Sequence, residues 1–162
     1  KNSRIVISVI ASVLIEGIRM NSSKQMSTGL KVFAWLMVLW NGIGVAAFFS
    51  QIMMTPEMIA QLPEAQQAVY RDIPVWSYSA YALAVFGGLI GSILLALGKK
   101  LAFPVLVISL AGVIVQQYYN FVVIDAIGIM GWGIVVMPVI VTTIALLLVS
   151  ISQRGVRAGW LH

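Results

Sequence analysis

The sequence predicts an all-α membrane protein, an antiparallel bundle of four transmembrane helices with a surface-lying helical outer loop and a short extra apolar helix near the N-terminal end. Four apolar runs of about 20 residues or slightly more contain no Asp, Glu, Lys, Arg or His, and a helix of that length crosses about 30 Å of hydrocarbon. Of the 162 residues, 60% are hydrophobic and only 9% are charged. A soluble domain of this size could not bury so much apolar surface.

The chain divides into an N-terminal extension, residues 1–25, and a four-helix transmembrane domain, residues 26–162, with helices at about 32–54, 76–97, 101–124 and 131–151. Within the extension, residues 5–15 are apolar but short for a span, and Glu16 and Arg19 follow them. We expect a short helix outside the four-helix core. A signal-peptide layout, or a start at Met20 or Met26, stays open as an alternative.

Residues 55–74 form the one sizeable loop, between the first and second runs. Thr55 can cap a helix whose first residue is Pro56, with Glu57 in the favourable first turn. Pro63 and Glu64 repeat that pattern, which predicts one or two short helices lying on the outer surface. A lid over an outward-facing cavity and a docking surface for a partner are the alternatives.

Charged residues between the runs are sorted by sign, which predicts the orientation. Cytoplasmic loops of membrane proteins collect Lys and Arg, so we expect both ends of the four-helix core in the cytoplasm. The short links after the second and third runs make neighbouring helices antiparallel. One side carries Lys24, Lys31, Lys99, Lys100, Arg154 and Arg157, and the other carries Glu57, Glu64, Asp72 and Asp125 with Arg71.

Small residues in the second run are spaced for close helix packing. Gly87 and Gly91 are four residues apart, as are Gly88 and Ser92. Such pairs let another helix approach closely in a membrane. We interpret them as helix-packing positions, with a smooth wall for a flat ligand as the alternative.

Neutral polar side chains gather in the outer half of the predicted bundle. Such groups are costly in lipid and should face the bundle interior or water. They either form interhelical hydrogen bonds or line an outward-opening cavity suited to hydroxyls, carbonyls or a lipid headgroup. The candidate ligand-binding residues are Asn41, Gln51, Tyr81, Gln116, Gln117, Tyr119 and Asn120.

The sequence lacks the residues that several kinds of chemical site require. The chain has no cysteine, and its one histidine is His162, so disulfides, thiolate metal sites and a bis-histidine haem are excluded. We expect no catalytic residue, no metal and no cofactor, and therefore no enzyme. Without a charged residue inside the runs, a proton relay or ion-coupled pump is not expected, and without a basic run among aromatics neither is nucleic-acid binding.

Six short strings of the sequence are informative together: Trp40-Asn41-Gly42, Phe48-Phe49-Ser50-Gln51, Leu62-Pro63-Glu64-Ala65-Gln66, Phe86-Gly87-Gly88-Leu89-Ile90-Gly91-Ser92, Tyr119-Asn120-Phe121 and Arg157-Ala158-Gly159-Trp160-Leu161. They resemble a family of small bacterial inner-membrane proteins commonly labelled "sugar transporter". The resemblance covers roughly residues 33–162, and the four-helix plan is also distantly similar to the DoxX-like proteins. It implies a bacterial inner-membrane location and a sugar-like solute, and it carries over no binding residue.

Two functional hypotheses follow. The first is a small transporter or binder of a neutral small solute or lipid-like ligand, which would use the outer-half polar cavity. The second is a non-catalytic accessory or assembly subunit of a larger membrane complex, docked through its glycine face. The expected partners are the lipid bilayer and either further copies of the chain or a larger membrane-protein complex.

Overall fold

The structure, a computed structural model, describes residues 25–70 and 73–162, and this part of the chain is helical without a strand. The expectation for the N-terminal extension falls outside the described residues, as do Lys24, Arg71 and Asp72. The helices are α1 (Thr28–Ile52), α2 (Pro56–Ala60), α3 (Glu64–Tyr70), α4 (Val75–Ala96), α5 (Ala102–Tyr118), α6 (Ala126–Met130) and α7 (Val136–Ala158). A π-helical turn, Tyr119–Val123, continues α5, and a 3₁₀ turn, Trp132–Val135, leads into α7.

Four of the described helices are long and apolar enough to cross a membrane, which confirms the prediction of four long apolar helices. They are α1, α4, α5 with its π turn, and α7 with its 3₁₀ turn. The α7 helix extends to Ala158, beyond the predicted end at residue 151. The prediction followed hydropathy, whereas backbone hydrogen bonding continues through polar residues until Gly159 adopts a left-handed φ of 76°.

Two long helices pack on α4. Ser109 and Leu106 of α5 lie against Gly87 and Gly91 of α4, so residue numbers fall along α5 as they rise along α4. On a neighbouring face of α4, Asn41 of α1 lies against Gly88 and bonds Ser92. The α7 helix packs mainly on α5. The four long helices therefore follow the spatial order α1, α4, α5, α7.

The charged residues mark the two ends of this helix group. We call the end that carries Lys31, Lys99, Lys100, Arg154 and Arg157 the basic end, and the end that carries Glu57, Glu64 and Asp125 the acidic end.

The basic end is closed by an apolar core that all four long helices share. Leu95 of α4, Leu106 of α5 and Leu148 of α7 are buried in it, together with Ala34 of α1. The residues after α7 complete it. Leu161 is fully buried, and His162 donates its backbone N–H to the Gly98 carbonyl at 2.8 Å.

The acidic end is covered by the short helices. Thr55 caps α2 as expected, its hydroxyl accepting a hydrogen bond from the Met58 N–H at 3.4 Å. A hydrogen bond from Thr55 also lowers the pKa of Glu57. The α2 helix is largely exposed, but α3 packs against α6, which is N-capped by Asp125. The loop is therefore not only a surface element, because α3 and α6 together cover the ends of the long helices.

Candidate functional site

A cavity of about 440 Å³ lies among the four long helices, between the core of the basic end and the cover of the acidic end. This volume falls within the range of small-molecule sites. Six of the seven candidate ligand-binding residues line it: Asn41, Gln51, Tyr81, Gln116, Gln117 and Asn120.

Tyr119 is the candidate that the structure does not bring to the cavity. It is 3% exposed, and its ring packs edge-to-face on Trp76 with a centroid distance of 5.4 Å. Successive residues of a helix point about 100° apart, so Tyr119 and the neighbouring Asn120 face different surroundings. The sequence could not show which of the two faces the cavity.

Asn41 lines the cavity but is tied to the helices around it. Its Nδ2 donates to the Met37 carbonyl at 2.8 Å and to the Ser92 hydroxyl of α4 at 3.2 Å. Its Oδ1 lies directly against Gly88, where a Cβ would collide with it. Asn41 therefore holds α1 to α4, and Gly88 leaves room for its side chain.

The polar side chains of α5 and its π turn differ in how many hydrogen bonds they make to the described residues. Gln116 accepts a hydrogen bond through its Oε1 from the hydroxyl of the buried Ser77, at 3.3 Å. The Oε1 of Gln117 is buried and has no hydrogen-bond partner among the described residues. Asn120, in the π turn, makes no side-chain hydrogen bond within the described chain.

Two further polar groups of the lining have no hydrogen-bond partner among the described residues. The ring of Tyr81 is held edge-to-face on Phe48 at a centroid distance of 5.3 Å, yet its hydroxyl makes no hydrogen bond to a described residue. The Gln51 amide makes none either. Since polar groups inside folded proteins are normally hydrogen-bonded, Gln51, Tyr81, Gln117 and Asn120 offer donors and acceptors that the described chain does not use.

The rest of the lining is apolar, and no charged residue contributes to it among the described part of the chain. The end of the cavity nearest the basic core is formed by Leu106, Ile144 and Leu148. A smaller depression of about 210 Å³, between α5 and α7, shares Gln117 with the cavity and includes Thr142 and Thr143. The chemistry available is hydrogen bonding to neutral groups at one end and apolar contact at the other.

Each of the predicted packing residues of α4 faces a neighbouring helix. A Cβ at Gly87 would lie 3.0 Å from Ser109 Cβ, and one at Gly91 would lie 2.6 Å from Leu106 side-chain carbons. Gly88 and Ser92 meet Asn41, as described above. These four positions are therefore occupied by contacts within the chain.

Sequence reasoning missed three small residues that position the same walls. Ser109 donates to the Ala84 carbonyl at 2.6 Å, and Gly112 faces the α4 backbone so closely that a Cβ would lie 2.7 Å from Ala84 N. Ser77 holds Gln116. The three-residue spacing of Ser109 and Gly112 was the available signal, and it is weaker than the paired glycines of α4.

Comparisons with known proteins were made by family model, by sequence and by structure. No family model, curated protein or solved structure matches this chain. The site therefore has to be interpreted from its own geometry. Among the described residues, no group of three or more His, Cys, Asp or Glu is placed to hold a metal ion.

Proposed function

We propose that the chain is a small multi-pass protein of the bacterial inner membrane, an antiparallel four-helix bundle with its basic end in the cytoplasm. The four apolar helices support the membrane location. The separation of Lys and Arg from Glu and Asp along the helix group supports the orientation. The resemblance to small bacterial inner-membrane proteins supports the compartment.

We further propose that the protein binds or transports a neutral small solute or lipid-like ligand in the cavity. The observation that carries this proposal is a set of polar groups without hydrogen-bond partners among the described residues, namely Gln51, Tyr81, Gln117 and Asn120, at one end of a cavity whose described lining carries no charge. Hydroxyl or carbonyl groups of a ligand would complete their hydrogen bonds. An ion would find no counter-charge among the described lining residues. The "sugar transporter" label of the resembling family agrees with a neutral, hydroxyl-bearing ligand.

Replacing Gln116 tests this proposal, with Gln153 as the matched control. Gln116 lines the cavity, whereas Gln153 is exposed near the basic end and does not. Neutral hexoses and a 1-monoacylglycerol serve as probes, and binding is measured as the rise in the melting temperature of the purified protein in phosphatidylcholine nanodiscs.

We expect at least one probe to raise the melting temperature of the unmodified protein and of Gln153→Leu. In Gln116→Leu that response should be lost, because Ser77 occupies only the Oε1 of Gln116. Its Nε2 donates to no described residue, and without it a hydroxyl or carbonyl of the bound ligand loses a hydrogen-bond donor. The variant itself should lose only about 0.6–2 kcal/mol of stability through the Ser77 hydrogen bond. An equal response in both variants would contradict a binding role for this end of the cavity.

The second candidate is a non-catalytic accessory subunit. Docking through the glycine face is not available in this structure, because Gly87, Gly88 and Gly91 face α5 and α1. Docking would instead use lipid-facing surface such as the exposed apolar residues Val32, Leu36, Leu39 and Ile43 of α1, which are equally compatible with the bilayer. Purification in mild detergent discriminates the two functions, since an accessory subunit should co-purify in a fixed stoichiometry with one defined membrane protein.

A further inference from the structure

Among the described residues, the group of four long helices is open on one side. The α1 and α7 helices stand at the two ends of the spatial order α1, α4, α5, α7, and they make no extensive contact with each other within the described chain. Both nevertheless line the cavity, α1 through Ile43 and Ala47 and α7 through Met137 and Val141. The cavity therefore lies behind a slot between α1 and α7.

Exposure shows that the cavity reaches the surface through this slot. Two of its lining residues are strongly exposed, Ile43 at 68% on α1 and Met137 at 58% on α7. On the opposite wall, Leu106 and Val113 of α5 are buried. The lining thus changes from buried to exposed in the direction of the slot.

The two ends of the cavity are covered. At the basic end, Leu106 and Leu148 belong both to the cavity lining and to the apolar core. At the acidic end, α3 packs against α6, and Val69 and Ala126 of these helices contribute to the lining. In a membrane-spanning bundle, an opening along the length of the helices faces the hydrocarbon and not water.

The polarity of the lining indicates how an occupant would lie. The polar groups of Gln51, Tyr81 and Asn120, which bond no described residue, are toward the acidic end, whereas Ile144 and Leu148 form an apolar stretch toward the basic end. An apolar chain gains little free energy by moving from lipid into a polar pocket of the kind found in soluble proteins. A slot with apolar walls can accommodate it. A hydroxyl or carbonyl head gains the hydrogen bonds that hydrocarbon does not offer.

Resting on the proposed function, we propose that the ligand is a neutral amphiphile that enters from the bilayer through the slot between α1 and α7. Its head, bearing hydroxyl or carbonyl groups, binds Gln51, Tyr81 and Asn120, and its apolar tail lies in the slot. The absence of charged residues from the described lining excludes selection of a phosphate-bearing or zwitterionic headgroup by ion pairing. Monoacylglycerols and long-chain alcohols have the required chemistry.

The test uses a 1-monoacylglycerol with a photoreactive diazirine in its acyl chain, incorporated with the full chain into phosphatidylcholine nanodiscs. Labelled residues are mapped by mass spectrometry, with and without excess unlabelled monoacylglycerol. Leu106 and Val113 are the informative positions, because they line the cavity and are buried from the surface.

Two neighbouring alanines of α1 supply a matched pair of variants. Ala46 and Ala47 are both exposed, but only Ala47 lines the cavity. In Ala47→Trp the indole narrows the slot, and in Ala46→Trp it points elsewhere on the same helix. We expect competitor-sensitive labelling of Val113 and Leu106 in the unmodified protein and in Ala46→Trp, and a loss of about tenfold or more, equivalent to about 1.4 kcal/mol, in Ala47→Trp.

Labelling spread over the exposed apolar residues, unaffected by competitor and equal in both variants, would overturn the lateral-entry proposal. If a hexose then still raised the melting temperature in the unmodified protein and not in Gln116→Leu, the proposed function would stand with a water-soluble ligand. If no probe responded, both proposals would fail. A second copy of the chain in the slot would instead give disulfide-linked dimers of Ile43→Cys, since the chain has no other cysteine, and would also overturn the proposal.

Discussion

At the residue scale, two asparagines of the cavity lining have different roles. Asn41 makes two hydrogen bonds through Nδ2 and fits against Gly88, so its polar group is used by the fold. Asn120 makes no side-chain hydrogen bond among the described residues. A polar group that the fold does not use costs stability in a membrane, and that cost is recovered when a ligand or water binds it.

These roles lead to opposite expectations for Asn41→Leu and Asn120→Leu. Asn41→Leu should lower the free energy of unfolding by about 1–3 kcal/mol, because Ser92 loses its partner and the branched side chain meets Gly88. Asn120→Leu should leave that free energy nearly unchanged and remove ligand stabilisation. Unfolding in mixed micelles with increasing SDS measures the free energy of unfolding. Melting with and without monoacylglycerol measures the stabilisation by ligand. A strongly destabilised Asn120→Leu with retained ligand response would show that Asn120 only joins helices.

At the scale of the helices, the contact between α4 and α5 is the most extensive one between described helices. Backbone meets backbone at Gly112, Gly87 lies against Ser109, and the Ser109 hydroxyl bonds the Ala84 carbonyl. Close approach of this kind increases van der Waals contact, which stabilises helix pairs in lipid where no hydrophobic driving force remains. The contact holds the polar residues of α5 at a fixed position relative to Tyr81 of α4.

The change Gly112→Ala tests this contact. A Cβ there would lie 2.7 Å from Ala84 N and 2.8 Å from the Ala80 carbonyl oxygen, and backbone atoms cannot move aside as side chains do. We expect a loss of about 1–3 kcal/mol in the free energy of unfolding, measured by unfolding in SDS.

Gly42→Ala is the matched control, since nothing lies within 4 Å of a Cβ added there in the middle of α1. It should be neutral or raise stability by about 0.5–1 kcal/mol, because alanine is the better helix former. Equal effects of the two changes would mean that α4 and α5 do not approach each other as described.

At the scale of the whole molecule, the distribution of charge divides the helix group into a basic and an acidic end. Lys99 lies between α4 and α5 at the basic end, and Glu57 lies on α2 at the acidic end. Both side chains are exposed. Since positively charged loops are retained in the cytoplasm, the two positions should face opposite sides of the membrane.

Single-cysteine variants Lys99→Cys and Glu57→Cys measure this orientation without interference, because the chain contains no cysteine of its own. With a membrane-impermeant maleimide we expect Glu57→Cys to react in intact spheroplasts and Lys99→Cys to react only after permeabilisation. Reaction of Lys99→Cys from outside would reverse the orientation, and reaction of both would point to mixed insertion.

The sequence by itself determined the helical class, the four apolar helices, the Thr55 cap and the sign of the charge at each end. These are properties of short stretches of chain. Hydropathy over about 20 residues depends on composition alone, and a cap depends on residues within one turn. The sequence also brought six cavity residues into one candidate group, because neutral polar side chains are costly in lipid and few are present.

Only the tertiary structure decided how these residues are used. In the fold, Asn120 lines the cavity whereas Tyr119 packs on Trp76. Asn41 joins α1 to α4, and α1 and α7 lie apart, so that the cavity opens to the side. In lipid, nearly every face of an apolar helix is compatible with its surroundings, so hydropathy does not specify which face meets a neighbour. That choice depends on close contacts such as Gly88 with Asn41 and Gly112 with Ala84, which join residues far apart in the chain.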